Sequence, residues 1–225
     1  VYGVRKVWHQ LLREGIRVAR CTVARLMAVM GLAGVLRGKK VRTTVSWKTV
    51  AAGDRVVAER PDQLWVADFT YVSTWQGFVY VAFIIDVFAG YIVGWWVSLS
   101  METTFMLDAL EQALWARRPS GTIHHSDKGS QYVSLAYTER LKEAKLLAST
   151  GSTGDSYDNA MAESINGLYK AEGIHRKSWK KRAKVELATL TWVDWYNNRR
   201  LLERLSHTPP AEAEKAYYAS IHWKR

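Results

Sequence analysis

The spacing of apolar positions changes twice along the chain, and each change marks a different kind of structure. Residues 3–14 (GVRKVWHQLLRE) put Val4, Val7, Trp8, Leu11 and Leu12 at helical spacing, and Gly15 ends the run. A second helical pattern opens near Ala19, sets Val23, Leu26, Met27 and Met30 on one face, and stops at Gly31. From Pro61 the period becomes two. LWVADFTYV, FVYVAFIID and YIVGWWVSL are separated only by the turn-like TWQG and VFAG, which predicts three strands of an antiparallel meander. Helical spacing returns at 103–117, with Phe105, Leu107, Leu110, Leu114 and Trp115 available to pack on the sheet. A short strand, TIHH, a helix, YVSLAYTERLKEA, and a candidate fifth strand, KLLAS, follow. A meander succeeded by alternating helix and strand predicts an α/β fold, a mixed five-stranded sheet covered by helices. After the small, polar stretch 149–157, DNAMAESINGLYKAE predicts a helix with Asp158 as its N-cap. VELATLTWVDWYNNRR and a segment starting at Pro210 supply two more.

These patterns divide the chain into three. Residues 1–36 hold two short helices joined by a tight turn, the second pointing Arg20 and Arg25 outward, like a small helix-turn-helix DNA-binding segment. Residues 37–60 lose periodicity and form a basic linker in which Lys39 and Lys40 are placed to follow a DNA backbone. Residues 61–225 form the core with its C-terminal helices. Charge follows the same division: the net +11 arises from basic first and last quarters around an acidic middle, with 13 Lys and Arg against 3 Asp and Glu in residues 1–60. Two basic arms suit a polyanion held at both ends, and the acidic centre suits divalent cations. An uneven solvated surface would give the same counts. No apolar run approaches the roughly 20 residues of a membrane span, and no signal-peptide pattern opens the chain, so a cytoplasmic protein is expected. The single cysteine, Cys21, has no disulfide partner and is expected to be a small buried helix residue.

Three carboxylates stand out. Asp68 shares its side of a strand with Leu64, Val66 and Val72, where an unpaired charge would cost several kcal/mol. Asp127 follows the TIHH strand, at the edge where α/β sheets place ligands. Glu163 lies on the polar face of its helix, with Asn159, Asn166 and Lys170. Taken singly, the structural readings are the better ones: a strand-edge polar residue, a turn-former and a solvated helix residue. Together, acidic groups on a strand, a strand end and a helix are the donor set for two-metal phosphoryl transfer. His124 and His125, neighbours in a strand, point to opposite faces and so do not readily share one ion.

With WVADFTYV, HSDKGSQY and DNAMAESINGLYKAE in view, the chain resembles the catalytic polypeptide of bacterial insertion-sequence transposases of the insertion-sequence-three family, which share a core with retroviral integrases. The resemblance runs from VYGVRKVW through NNRR to TPPAEAE. Asp68, Asp127 and Glu163 match the family's three carboxylates, and the 35 residues between Asp127 and Glu163 match its characteristic interval. Lys170 matches a basic position associated with binding the element's end. The resemblance implies an RNase H-like core, dependence on two Mg²⁺ or Mn²⁺ ions, and DNA cleavage followed by strand transfer. It also implies a multimer on DNA and an upstream DNA-binding product of the same element as a partner. Against the family pattern the chain starts inside the helix-turn-helix region, its linker is short, and Ala148 stands where proline is common.

Overall fold

The computed structural model describes residues 1–35, 58–126, 134–150, 160–175 and 177–222. Lys39, Lys40, Asp127 and Asp158 lie outside these described residues. The elements are α1 (Val4–Arg13), α2 (Arg20–Val29), β1 (Leu64–Thr74), β2 (Gly77–Asp86), β3 (Tyr91–Ser98), α3 (Thr103–Arg117), β4 (Ile123–Ser126), α4 (Leu135–Glu143), β5 (Leu147–Thr150), α5 (Ala160–Tyr169), a π-helical turn (Lys170–Ile174), α6 (Arg182–Asn198) and α7 (Pro210–His222).

The sheet order is β3-β2-β1-β4-β5. β1, β2 and β3 form the expected antiparallel meander, while β4 pairs parallel with both β1 and β5. Each face buries its own apolar layer. One carries Val66, Val72, Phe83 and Ile85 against α5, the π-turn and α6, where Phe83 meets Tyr169 and Trp192 edge-on or tilted at 5.1 and 6.0 Å. The other carries Trp65, Ala67, Ala82 and Ile84 against α3 and α4. Strict alternation along β1 makes this two-sided core possible, because successive side chains point to opposite faces.

α3 buries Phe105, Met106, Ala109, Leu110 and Ala113, so Trp115 falls off the stripe and is exposed, contrary to its expected packing. The alanines let α3 approach β3 closely. A Cβ on Gly94 would stand 2.3 Å from the Ala109 carbonyl oxygen. Gln112 Oε1 accepts the Trp95 N–H at 2.7 Å, and the ladder slips a residue between Ile84 and Ile85 opposite this contact.

α1 and α2 pack together with Val23 and Met27 as the buried residues of α2. Leu26 and Met30 are exposed, as is Cys21, whose expected burial fails because only one narrow side of α2 is covered. Arg20 and Arg25 point outward as expected. This pair docks on the C-terminal part of the chain: the Tyr2 hydroxyl donates to the Arg199 carbonyl at 3.1 Å and accepts the Leu201 N–H at 2.7 Å, while Arg13 grips Glu212. Among the described residues no helix is long and apolar enough to cross a membrane.

Candidate active site

β4 pairs with β1 only from Leu64 to Ala67, the last pair being Ala67 with Ser126. Asp68 is therefore the first residue of β1 beyond that ladder, and Ser126 is the residue before Asp127 in the sequence. α5 crosses the sheet here. The half-buried Asp68 carboxylate accepts the Phe69 N–H on Oδ1 and the Asn166 side-chain Nδ2–H on Oδ2, both at 2.8 Å. These bonds offset the cost of a carboxylate among Val66 and Val72.

Asn166 is the residue that sequence reasoning passed over. Helical spacing put it on the polar face with Glu163, but α5 buries Ala162, Ile165, Asn166 and Tyr169, so the amide sits at the inner border of that face. The missed signal was its position three residues after Glu163. Side chains so spaced are neighbours, with Cβ atoms about 5–6 Å apart. Glu163 is exposed in the first turn of α5, one turn before the amide that touches Asp68.

Lys170 directly follows α5 and opens the π-turn. Its Nζ lies 4.5 Å from the centre of the Tyr71 ring. Burial lowers its pKa, and the Asp68 charge works in the opposite direction. Two arginines at the end of α6 are held by carboxylates. Arg200 is buried in a two-bond ion pair with Glu172 at 3.0 and 2.6 Å, and Arg199 pairs with Asp194 at 3.0 Å, so Arg200 presents no free guanidinium for phosphate.

The histidines are both buried. His124 Nε2 meets the Tyr137 hydroxyl at 3.1 Å, and burial pushes the imidazole pKa down to about 4. His125 Nδ1 meets Ser149 Oγ at 3.2 Å. Asp86, at the opposite end of the sheet, accepts the Asp62 and Phe88 N–H groups, and burial raises its pKa to about 7. Its part is structural, since it fixes the entry to β1 and the turn after β2.

Residues 58–156 match the integrase core domain family, residues 145–210 match a second integrase core domain family, and residues 1–40 match an HTH-like domain. A transposase for insertion sequence element IS629 from Shigella sonnei is 92% identical over 225 residues, covering 98% of this chain and 76% of that protein. The chain belongs to the insertion-sequence-three family of transposases. The transposase for IS904 from Lactococcus lactis is 31% identical, over 95% of this chain and 87% of its own length. Among solved structures, a chain of the simian T-cell lymphotropic virus intasome superposes with a TM-score of 0.62 over 92% of this transposase and 70% of that chain, at 14% identity. The HTLV-2 integrase catalytic core in complex with magnesium gives a TM-score of 0.53 over 69% of this transposase and 98% of that chain, also at 14% identity. The shared fold is the RNase H-like mixed sheet. As a transposase with an integrase core, this protein is a polynucleotidyl transferase that cleaves DNA and transfers strands, and DNA is the partner its domains imply.

Proposed function

We propose that Asp68, Asp127 and Glu163 form one catalytic centre that cuts and joins the ends of an insertion sequence with the help of two Mg²⁺ or Mn²⁺ ions. The observation that carries this reading is the bond from Asn166 to Asp68, which ties the helix bearing Glu163 to the strand bearing Asp68. The parallel pairing of Ser126 beside Asp68 supports Asp127 as the third member.

The donor set fits hard divalent cations. Asp68 and Glu163 offer carboxylate oxygens, the ligands such ions prefer. Asn166 Oδ1 is buried without a hydrogen-bond partner among the described residues, an acceptor suited to an ion's water. Among those residues no three His, Cys, Asp or Glu side chains cluster, and one member of the trio lies outside them. The HTLV-2 core of the same fold was solved with magnesium, which supports this choice of ion. When bound, two such ions lower the pKa of an attacking water or hydroxyl and stabilise the leaving oxygen.

The chain's own groups do the rest. Asn166 holds the rotation of the Asp68 carboxylate through its bond to Oδ2. Lys170 offers an ammonium to a DNA phosphate beside the scissile bond, and Arg20, Arg25, Lys39 and Lys40 neutralise phosphates farther along the duplex. Water first releases a 3′-hydroxyl at the element's end, and that hydroxyl then attacks a target phosphodiester in line. The working form is a multimer on DNA in the cytoplasm, made with or beside an upstream product of the same element.

The test is the purified protein with Mg²⁺ and labelled element-end DNA. Joined products are expected from the wild type, and Asp127→Asn loses them while still binding DNA. Cleavage without joining would make the protein a nuclease, binding without cleavage a DNA-binding regulator, and joining by Asp127→Asn would remove that residue from the site.

A further inference from the structure

The part of β1 beyond Asp68 runs into a hairpin whose outer surface is aromatic. Tyr71, Trp75 and Phe78 are 55%, 71% and 54% exposed, three large rings within eight residues. Single exposed aromatics need no explanation, but a fixed cluster does. These rings are fixed. Tyr71 and Phe78 meet edge-to-face at 5.2 Å. Trp75 donates its indole N–H to Ser178 Oγ at 2.9 Å, and its backbone N–H to the Trp179 carbonyl at 3.0 Å. Trp179 is itself buried and donates to the Ile174 carbonyl at 3.1 Å, so the stretch after the π-turn clamps the hairpin.

Each end of the cluster also carries a cation. Lys170 Nζ stands 4.5 Å from the Tyr71 ring centre and Lys180 Nζ 5.1 Å from that of Trp75. Ring faces interleaved with ammonium groups are the surface that unpaired nucleotides require, with bases stacking on the rings and phosphates meeting the charges. A protein partner would be served by the rings alone; the two ammonium groups argue for a polyanion. The cluster also lies close to the site. Tyr71 is three residues past Asp68, about 10 Å along the strand and on its other face, and Lys170, which stands at the Tyr71 ring, also feels the Asp68 charge.

We infer that Tyr71, Trp75 and Phe78, flanked by Lys170 and Lys180, form a stacking platform that holds unpaired nucleotides of a DNA strand next to the catalytic centre. The inference rests on the proposed function, because it assigns the platform to the DNA being cut. Its consequence is that the duplex is opened beside the scissile bond, with stacking on protein replacing stacking on the neighbouring base pair.

The experiment measures binding of the full chain by fluorescence anisotropy to labelled dT12, to an abasic 12-mer with the same number of phosphates, and to a 12-base-pair duplex. Wild type is expected to bind dT12 at least about tenfold more tightly than the abasic strand. Tyr71→Leu and Trp75→Leu are each expected to weaken dT12 binding roughly five- to hundredfold and to leave abasic binding unchanged. Equal affinity of the wild type for the two strands, or equal weakening of both by the variants, would overturn the platform. So would variants that bind dT12 normally but sediment as a smaller species, which would make the patch a contact between copies of this chain. Strand joining by the wild type is assayed in parallel. Joining without a dT12 preference overturns the platform alone, and a dT12 preference without joining supports the platform while overturning the proposed reaction.

Discussion

Asn166 matters more at the site than its chemistry advertises. Its amide donates to Asp68 and is 7% exposed, so Asn166→Ala removes a hydrogen bond to a charged group, an interaction of about 1.5–3 kcal/mol. The expected outcome is roughly tenfold weaker Mn²⁺ binding, read by electron paramagnetic resonance, with the unfolding midpoint changed little by comparison; unchanged Mn²⁺ affinity would leave Asn166 a purely structural residue. His124 makes a separate, pH-dependent contribution. Its imidazole pKa falls from 6.5 to about 4 on burial, so between those values the unfolded chain binds a proton that the native state refuses. Stability from this residue is therefore complete above about pH 6.5 and is lost on acidification toward pH 4. Asp86, raised from 3.8 to about 7, acts with the opposite sign over the same range. His124→Phe should thus flatten the acid-side loss by about 2 kcal/mol in urea titrations at pH 4.5 and 7; an unchanged difference between the two pH values would show that His124 does not titrate this way. The need of Asp68 for partners was legible in the sequence because an aspartate on an apolar strand side demands compensation. The amide was not, because a neutral asparagine on a helix makes no such demand until its contact is seen.

The three strands of the meander were legible from period-two alternation, and the helices from their spacing. What spacing missed was close approach. α3 looked as if it would pack through its largest residues, yet Trp115 is exposed while Ala109 and Ala113 are buried against Gly94. Hydrophobic size gives no hint that two backbones touch. Gly94→Val should push α3 off β3 and cost about 1–3 kcal/mol or more, measured as a lower urea midpoint; an unchanged midpoint would mean the contact yields freely. Gly167, inside α5 with nothing near a built Cβ, is the contrast: Gly167→Ala should stabilise by about 0.5–1 kcal/mol in the same titration. The π-turn after α5 was equally hidden, because residues 170–174 continue a helical pattern in sequence. There the buried Glu172–Arg200 pair, with the Trp192 indole 3.4 Å from Glu172, ties the widened turn to α6.

For the molecule as a whole, the sheet keeps two apolar layers apart, and among the described residues β1 pairs with β2 alone beyond Ala67, where Asp68, α5 and the aromatic hairpin meet. The helix-turn-helix pair docks on the chain after α6 and on α7, through Tyr2 and Arg13. The order of charge along the chain, basic at both ends around an acidic middle, is a property of the sequence. That order was legible because it needs only counting; how the first segment seats on the last helices was not, since the contacts join residues nearly 200 positions apart. Everything rests on three carboxylates from separate elements sharing ions. The most direct measurement is anomalous scattering from Mn²⁺ in crystals of the transposase with DNA. The account predicts two peaks about 3.5–4 Å apart, with carboxylate oxygens of Asp68, Asp127 and Glu163 about 2.1 Å from them. Peaks held by other residues, or an ordered Asp127 pointing away from Asp68, would contradict it.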